Sequence, residues 1–197
     1  LVTRRRDVGE FVSADYFAEE VRRTLYDRYG EAGLYEGGLS VRTTLDPRLQ
    51  DIAERALRAG LIEYDRRHGW RGPLATIEIG PLWPRWFEAI EPPKGLAPWQ
   101  MAVVLGLDST GATIGLAGGE RGFIPSMELT WARAWREGER IGPDIHDPSE
   151  VLTKGDVVAV EGLAEAPPGT FGLRQLPEIQ GAIVAMDPHT GRVHAMV

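Results

Sequence analysis

The chain has 197 residues, 43% hydrophobic and 26% charged, which allows one medium or two small domains with a buried core. It has no cysteine, which excludes disulfides, thiol catalysis and cysteine-ligated zinc and leaves cytoplasm and periplasm equally open. The net charge of −7 is local: residues 1–73 carry 13 basic and 13 acidic side chains, residues 74–180 carry 8 and 15, and the last 17 residues one of each. The middle region is therefore a poor partner for a phosphate backbone.

No stretch reaches the roughly 18 apolar residues of a membrane span, and LVTRRRDVGEF has basic residues with no signal-length apolar segment after them. The chain opens at Leu1 without methionine, as a piece of a longer protein would. Phe17, Val21, Leu25 and Tyr29 recur at four-residue steps and predict an amphipathic helix, with Ser13 as N-cap and Gly30 as its stop. LSVRTTL, residues 39–45, alternates apolar and polar side chains and predicts a strand. Asp46-Pro47 then opens a helix, because the Asp side chain accepts the free first-turn amides and Pro loses no hydrogen bond there. Leu49, Ile52, Ala53, Ala56, Leu57, Leu61 and Tyr64 form its apolar stripe, and Gly69 ends it after about 22 residues, roughly 33 Å.

After Pro73 the period shortens. WQMAVVLGL, ATIGLAG, RGFIP, DVVAVEGL and FGLRQL read as short strands separated by Gly- and Pro-rich turns, which predicts a small barrel or sandwich of the OB or SH3-like kind. Residues 73–98, rich in proline, read as an irregular approach to it, and residues 136–150 as a surface loop. The last segment is strand, turn, strand: an apolar run from Gly181, turn chemistry from Asp187 to Gly191, and a second apolar run to Val197. A lone hairpin this apolar is marginal in water, so it should pack on the long helix, meet another molecule, or be partly disordered.

Catalytic constellations are missing. No Ser is followed three residues later by Lys, and there is no Ser-x-Asn, Lys-Thr-Gly, G-x-S-x-G, Walker loop or HExxH. His68, His146, His189 and His194 lack zinc-ligand spacing, and acidic pairs such as Glu19-Glu20 and Asp144/Asp147 read as solvated faces. The expectation is no catalytic residue, no cofactor and no metal. Trp83, Trp86, Trp131 and Trp135, with Arg133, are the candidate contacts for a partner or a glycan; core or rim packing is the competing reading for such tryptophans, Trp99 included.

Two motifs in order, Thr43-Thr-Leu-Asp-Pro-x-Leu-Gln50 and Gly181-Ala-x-Val-Ala-x-Asp-Pro-x-Thr-Gly-x-Val, closely resemble class A penicillin-binding proteins of the Gram-negative 1A type. The resemblance covers about residues 15–71 and 173–197, and LTWAR and VLTKGDVVAV look like the OB-like domain inserted between them. It implies an α+β chain: residues 1–73 a helical linker with the first strand and helix of a transpeptidase module, 74–178 an OB-like domain, and 179–197 the first hairpin of the transpeptidase sheet. The family's glycosyltransferase glutamates and Ser-x-x-Lys nucleophile would lie outside the chain, so none of its catalytic residues falls on a position here. The implied role is a non-catalytic linker and docking region of a bifunctional peptidoglycan synthase on the periplasmic side of the inner membrane. Implied partners are the synthase's own two catalytic domains and an outer-membrane regulator or a division or elongation protein. Nucleic acid is not among them, and the alternative is that the OB-like domain binds peptidoglycan glycan strands directly.

Overall fold

The structure, a computed structural model, describes residues 12–138 and 140–197. They fall into two compact units, Leu1–Gly60 with Gln180–Val197, and Leu61–Ile179.

In the first unit α1 (Asp15–Tyr35) breaks at the predicted stop: Gly30 leaves helical geometry at φ 69° and ψ 179°, and a second helical stretch follows it. Ala14, not Ser13, occupies the N-cap, and no side chain caps that end. Residues 39–45 do not form the predicted strand. Their alternation is real, but strand structure needs a ladder partner, and only the end of the segment finds one. There the Asp46 amide donates to His194 O at 2.9 Å, and His194 Nδ1–H donates to Thr44 O at 3.1 Å.

Helix α2 (Pro47–Arg67) starts as its sequence dictates, with Asp46 Oδ1 accepting from the amides of Arg48 at 2.9 Å and Leu49 at 3.2 Å. On its first turns Gln50 is buried, and its amide treats β10 as a neighbouring strand would: Nε2 donates to Met196 O and Oε1 accepts from Met196 N, each at 3.0 Å. The terminal hairpin meets the long helix through Gln50, while Leu49 and Ile52 of the helix's apolar stripe stay exposed. Val184 and Met186 remain exposed on its other strand.

After the last turns of α2 the second unit continues with β1 (Ala75–Thr76) and α3 (Trp83–Glu88), so the approach predicted as irregular holds a short strand and a helix. Next come β2 (Gln100–Asp108), β3 (Gly111–Gly115) and β4 (Arg121–Pro125). The predicted surface loop folds as a small hairpin, β5 (Trp135–Arg136) with β6 (Arg140–Ile141), and a 3-10 turn, Pro148–Glu150. That turn forms because Asp147 and Glu150 cap each other's amides, and it buries Pro148. Strands β7 (Asp156–Gly162) and β8 (Phe171–Arg174) complete the unit, and β9 (Val184–Met186) with β10 (Val193–Met196) make the hairpin of the first.

Strand β7 pairs antiparallel with β1, β2 and β8, β2 with β3, and β3 with β4. The circuit returns from β4 to β8 through a parallel bridge, Phe123 to Thr170, with the Phe123 amide on Gly169 O at 2.9 Å. The neighbour order β2-β3-β4-β8-β7-β2 is that of a five-stranded OB barrel. Fully apolar runs in β2 and β7 follow from cover on both faces: Ala102, Val104, Val158 and Val160 join the main core with Ile114, Ile124 and Leu173. Val103 and Val157 face the opposite way, under Phe87 and Trp83 of α3. Trp83 lies so close to β3 that a Cβ on Gly115 would stand 2.4 Å from its Cη2.

Two predictions follow from this packing. Gly115→Ala forces Trp83 off the sheet and should destabilise the chain by about 1–3 kcal/mol, read as a lower urea midpoint, with partial recovery when combined with Trp83→Ala. In the β9–β10 turn, the Thr190 hydroxyl at 2.6 Å and then the His189 amide at 2.9 Å hold the Asp187 pKa below the usual carboxylate range. A depressed pKa contributes stability above the unfolded value, near 4, and loses it as pH falls through the folded one. The protection of the Asp187 and Gly191 amides, their exchange relative to the unstructured chain, should therefore fall below about pH 4, and less so in Asp187→Asn.

Candidate functional site

Within the second unit, the end of α2 and the chain leaving β8 line a groove of about 490 Å³. Its lining includes Tyr64, Asp65, His68, Arg71, Trp135 and Glu178. Gly69 makes the turn at the helix end with φ 101°, and a Cβ there would stand 2.8 Å from Arg133 O, so glycine is required on both counts. Trp70 then runs alongside residues 133–135: its amide donates to Arg133 O at 2.7 Å and its carbonyl accepts from the Trp135 amide at 2.9 Å. This local pairing carries Trp135 to the groove.

The floor is a buried polar network. Asp65, 3% exposed, takes a bidentate bond from Arg71 at 2.7 and 3.0 Å. Gln175 Nε2 donates to Asp65 Oδ2 at 2.8 Å and to Gly69 O at 3.0 Å, while its Oε1 accepts from the Arg71 amide at 2.8 Å. Arg71 also donates to Leu176 O at 2.7 Å and lies 3.2 Å from exposed Glu178. Arg71 thus pairs with both carboxylates of the lining, while Arg67, outside it, lies 6.0 Å over the Tyr64 ring and 3.7 Å from Glu63. One wall is a stacked aromatic pair one helical turn apart, Tyr64 and His68, with ring centres 4.1 Å apart and planes 25° from parallel. His68 Nδ1 lies 2.7 Å from Tyr64 O, and since a carbonyl only accepts, Nδ1 carries the proton.

Among the candidate contacts from the sequence, Trp135 is half-exposed and lines the groove. Trp131 packs edge-on against Trp70 at 5.9 Å and carries the Arg66 guanidinium 4.4 Å above its ring. Burial, with Arg174 nearby, lowers the Arg66 pKa. The indole nitrogens of Trp70 and Trp131 are both buried with no hydrogen-bond partner among the described residues. Arg133 is spent on Gly142 O at 2.7 Å and Asp144 at 3.2 Å. Trp83 and Trp86 sit on α3, Trp83 half-buried against Gly115 and Phe87 and Trp86 exposed, in a different cluster from Trp131. Sequence reading alone missed Tyr64, His68, Trp70 and Glu178. The i,i+4 spacing of Tyr64 and His68 was visible, but nothing in it showed which distant residues would face them.

A second cavity, about 340 Å³, lies within the first unit between α1, residues 41–44 and β10. Phe17, Val21, Leu25 and Val41 make its lining largely apolar.

The network predicts an asymmetric pair of mutational effects. Asp65→Ala strands the Arg71 charge and removes one Gln175 bond and should lower stability by about 3 kcal/mol, while Glu178→Gln should change it by less than about 1 kcal/mol. Urea unfolding of the two variants measures the difference.

Comparison with known proteins gives the same reading of the barrel. The family model of the penicillin-binding protein OB-like domain matches residues 70–179. Penicillin-binding protein 1A of Rickettsia typhi is 40% identical over 198 residues, covering 100% of this chain and 23% of its own length. That of Escherichia coli K12 is 32% identical over 189 residues, covering 94% and 22%. The crystal structure of penicillin-binding protein 1A from Haemophilus influenzae aligns with a TM-score of 0.62 at 26% identity, over 98% of this chain and 27% of that one. The chain spans about a quarter of the length of the relatives it matches. With the barrel order, the matched domain and both flanking motifs in agreement, the chain belongs to the penicillin-binding proteins that carry an OB-like domain.

Proposed function

We propose that this chain is a non-catalytic spacing and docking region of a bifunctional peptidoglycan synthase. The observation that carries this is the insertion: one compact unit is built from two stretches of sequence, and the OB-like unit is spliced between them. Such a unit is joined to its host by two chain connections, the position of a spacer or docking module and not of a domain on a single tether. The host synthase would polymerise glycan strands in one domain and crosslink their peptides by serine acyl transfer in another, on the periplasmic side of the inner membrane. The chain's five serines all lack a lysine three residues on, so acyl transfer is assigned to the host and not to these residues. Among the described residues no helix is long and apolar enough to cross a membrane.

The test has two arms. A fluorescent penicillin should leave the 197-residue chain unlabelled; stoichiometric labelling would overturn the non-catalytic reading. In a full-length synthase carrying this chain, replacing residues 61–179 with a short Gly/Ser linker should keep penicillin acylation within about twofold, because the acylating machinery lies elsewhere. Glycan polymerisation and crosslinking should meanwhile fall out of step. Unchanged crosslinking, with and without envelope extract, would remove the spacing and docking role.

A further inference from the structure

The groove at the end of α2 has the features of a ligand site that none of the comparisons assigns. It is concave, lies within one compact unit, and has a volume in the range of small-molecule sites. It is lined by aromatic rings from two elements, the Tyr64–His68 stack on the helix and Trp135 on the strand pairing with Trp70. Its deep polar atoms are committed: Asp65, Gln175 and most of Arg71 satisfy one another, so the floor is rigid and offers little to a ligand.

The rim has polar groups left over. Tyr64 and Trp135 are 41% and 47% exposed, and the Tyr64 hydroxyl and Trp135 indole N–H make no hydrogen bond among the described residues. His68 Nε2 is left with its lone pair when the ring is neutral, because Nδ1 is bound to Tyr64 O. Glu178 reaches Arg71 through one oxygen and keeps the second. The set therefore mixes donors and acceptors.

Charge narrows the ligand. An anion entering here meets Asp65 and Glu178, and a cation finds both carboxylates already paired with Arg71, so neither sign gains much attraction. A neutral ligand with many hydroxyls gains most. The C–H faces of its rings stack on Tyr64 and Trp135, and its hydroxyls, which both donate and accept, meet the mixed rim. We infer that this groove binds a neutral oligosaccharide, with Tyr64, His68 and Trp135 as the stacking surfaces and Glu178 as a hydroxyl acceptor. This deepens the docking role proposed above and rests on it for the choice of probe, an acetylated amino-sugar oligomer. It also moves the sugar contact away from Trp83 and Trp86, whose helix packs in another cluster.

The experiment titrates the 197-residue chain with N-acetylglucosamine tetramer, following tryptophan fluorescence and amide NMR shifts. Saturable binding is expected in the range of about 0.1–1 mM. Trp135→Ala and Tyr64→Ala should each weaken it by about tenfold, as loss of a principal aromatic contact does, whereas Trp86→Ala should change it less than twofold. Trp135→Phe, which restores an aromatic face, should recover most of the loss, and unchanged amide spectra away from the groove show that the variants are folded. Absence of saturation at about 10 mM would overturn the inference, as would equal loss in Trp86→Ala or tighter binding of an acidic or lysine-rich peptide than of the sugar. If residues 61–179 prove necessary for coupled synthesis while the groove takes no sugar, this inference fails and the docking role stands.

Discussion

An inserted domain must bring its incoming and outgoing chains together, and here one buried carboxylate does so. Asp65, at the end of the entering helix, holds Arg71 on one side and Gln175, on the leaving chain, on the other. Burying a charge is tolerable only when its partners are close and its remaining lone pairs are used, and Asp65 meets both conditions through side chains that lie 6 and 110 residues away. Everything at the groove inherits its position from this point. The turn at Gly69, the pairing of Trp70 with residues 133–135, and the approach of Glu178 each extend from a group already fixed by the network.

The barrel is built on a different principle. Its strands are short, and its closure between β4 and β8 rests on a parallel bridge, weaker than the antiparallel ladders around the rest of the circuit. Packing covers both sides of that weakness. Inside, Ile114, Ile124 and Leu173 are completely buried, and outside, α3 lays Trp83 and Phe87 against β2, β3 and β7. Glycines at tight contacts allow this: Gly115 makes room for Trp83, and Gly122, where a Cβ would stand 2.5 Å from Phe171, lets that ring lie against β4 beside the bridge.

The first unit shows how a side chain can stand in for a strand. The two-stranded hairpin would be marginal alone, but Gln50 offers β10 a donor and an acceptor at one residue, and residues 44–46 bond the same strand through Asp46 N and Thr44 O. A glutamine buried on the second turn of a helix is costly unless both ends of its amide are bonded, and both are. The same residues explain why the alternation at 39–45 misled: an amphipathic pattern selects a face, but a ladder needs an edge, and the edge of β10 is shared between that segment and a glutamine.

What the sequence determined by itself is what depends on neighbours along the chain. The Asp46-Pro47 helix start, the continuous apolar runs of β2 and β7, the turns at Asp108 and Asp187, and the paired motifs on either side of the barrel are local, so composition and spacing display them. Tertiary structure decided the rest. Trp131 and Trp135 are four residues apart and equally eligible as contacts, yet Trp131 is packed against Trp70 and Arg66 while Trp135 opens into the groove. Asp65 and Gln175 give no sign of each other at 110 residues' separation. Proximity between distant residues is set by which strands pair and which faces are buried, and no local propensity encodes it.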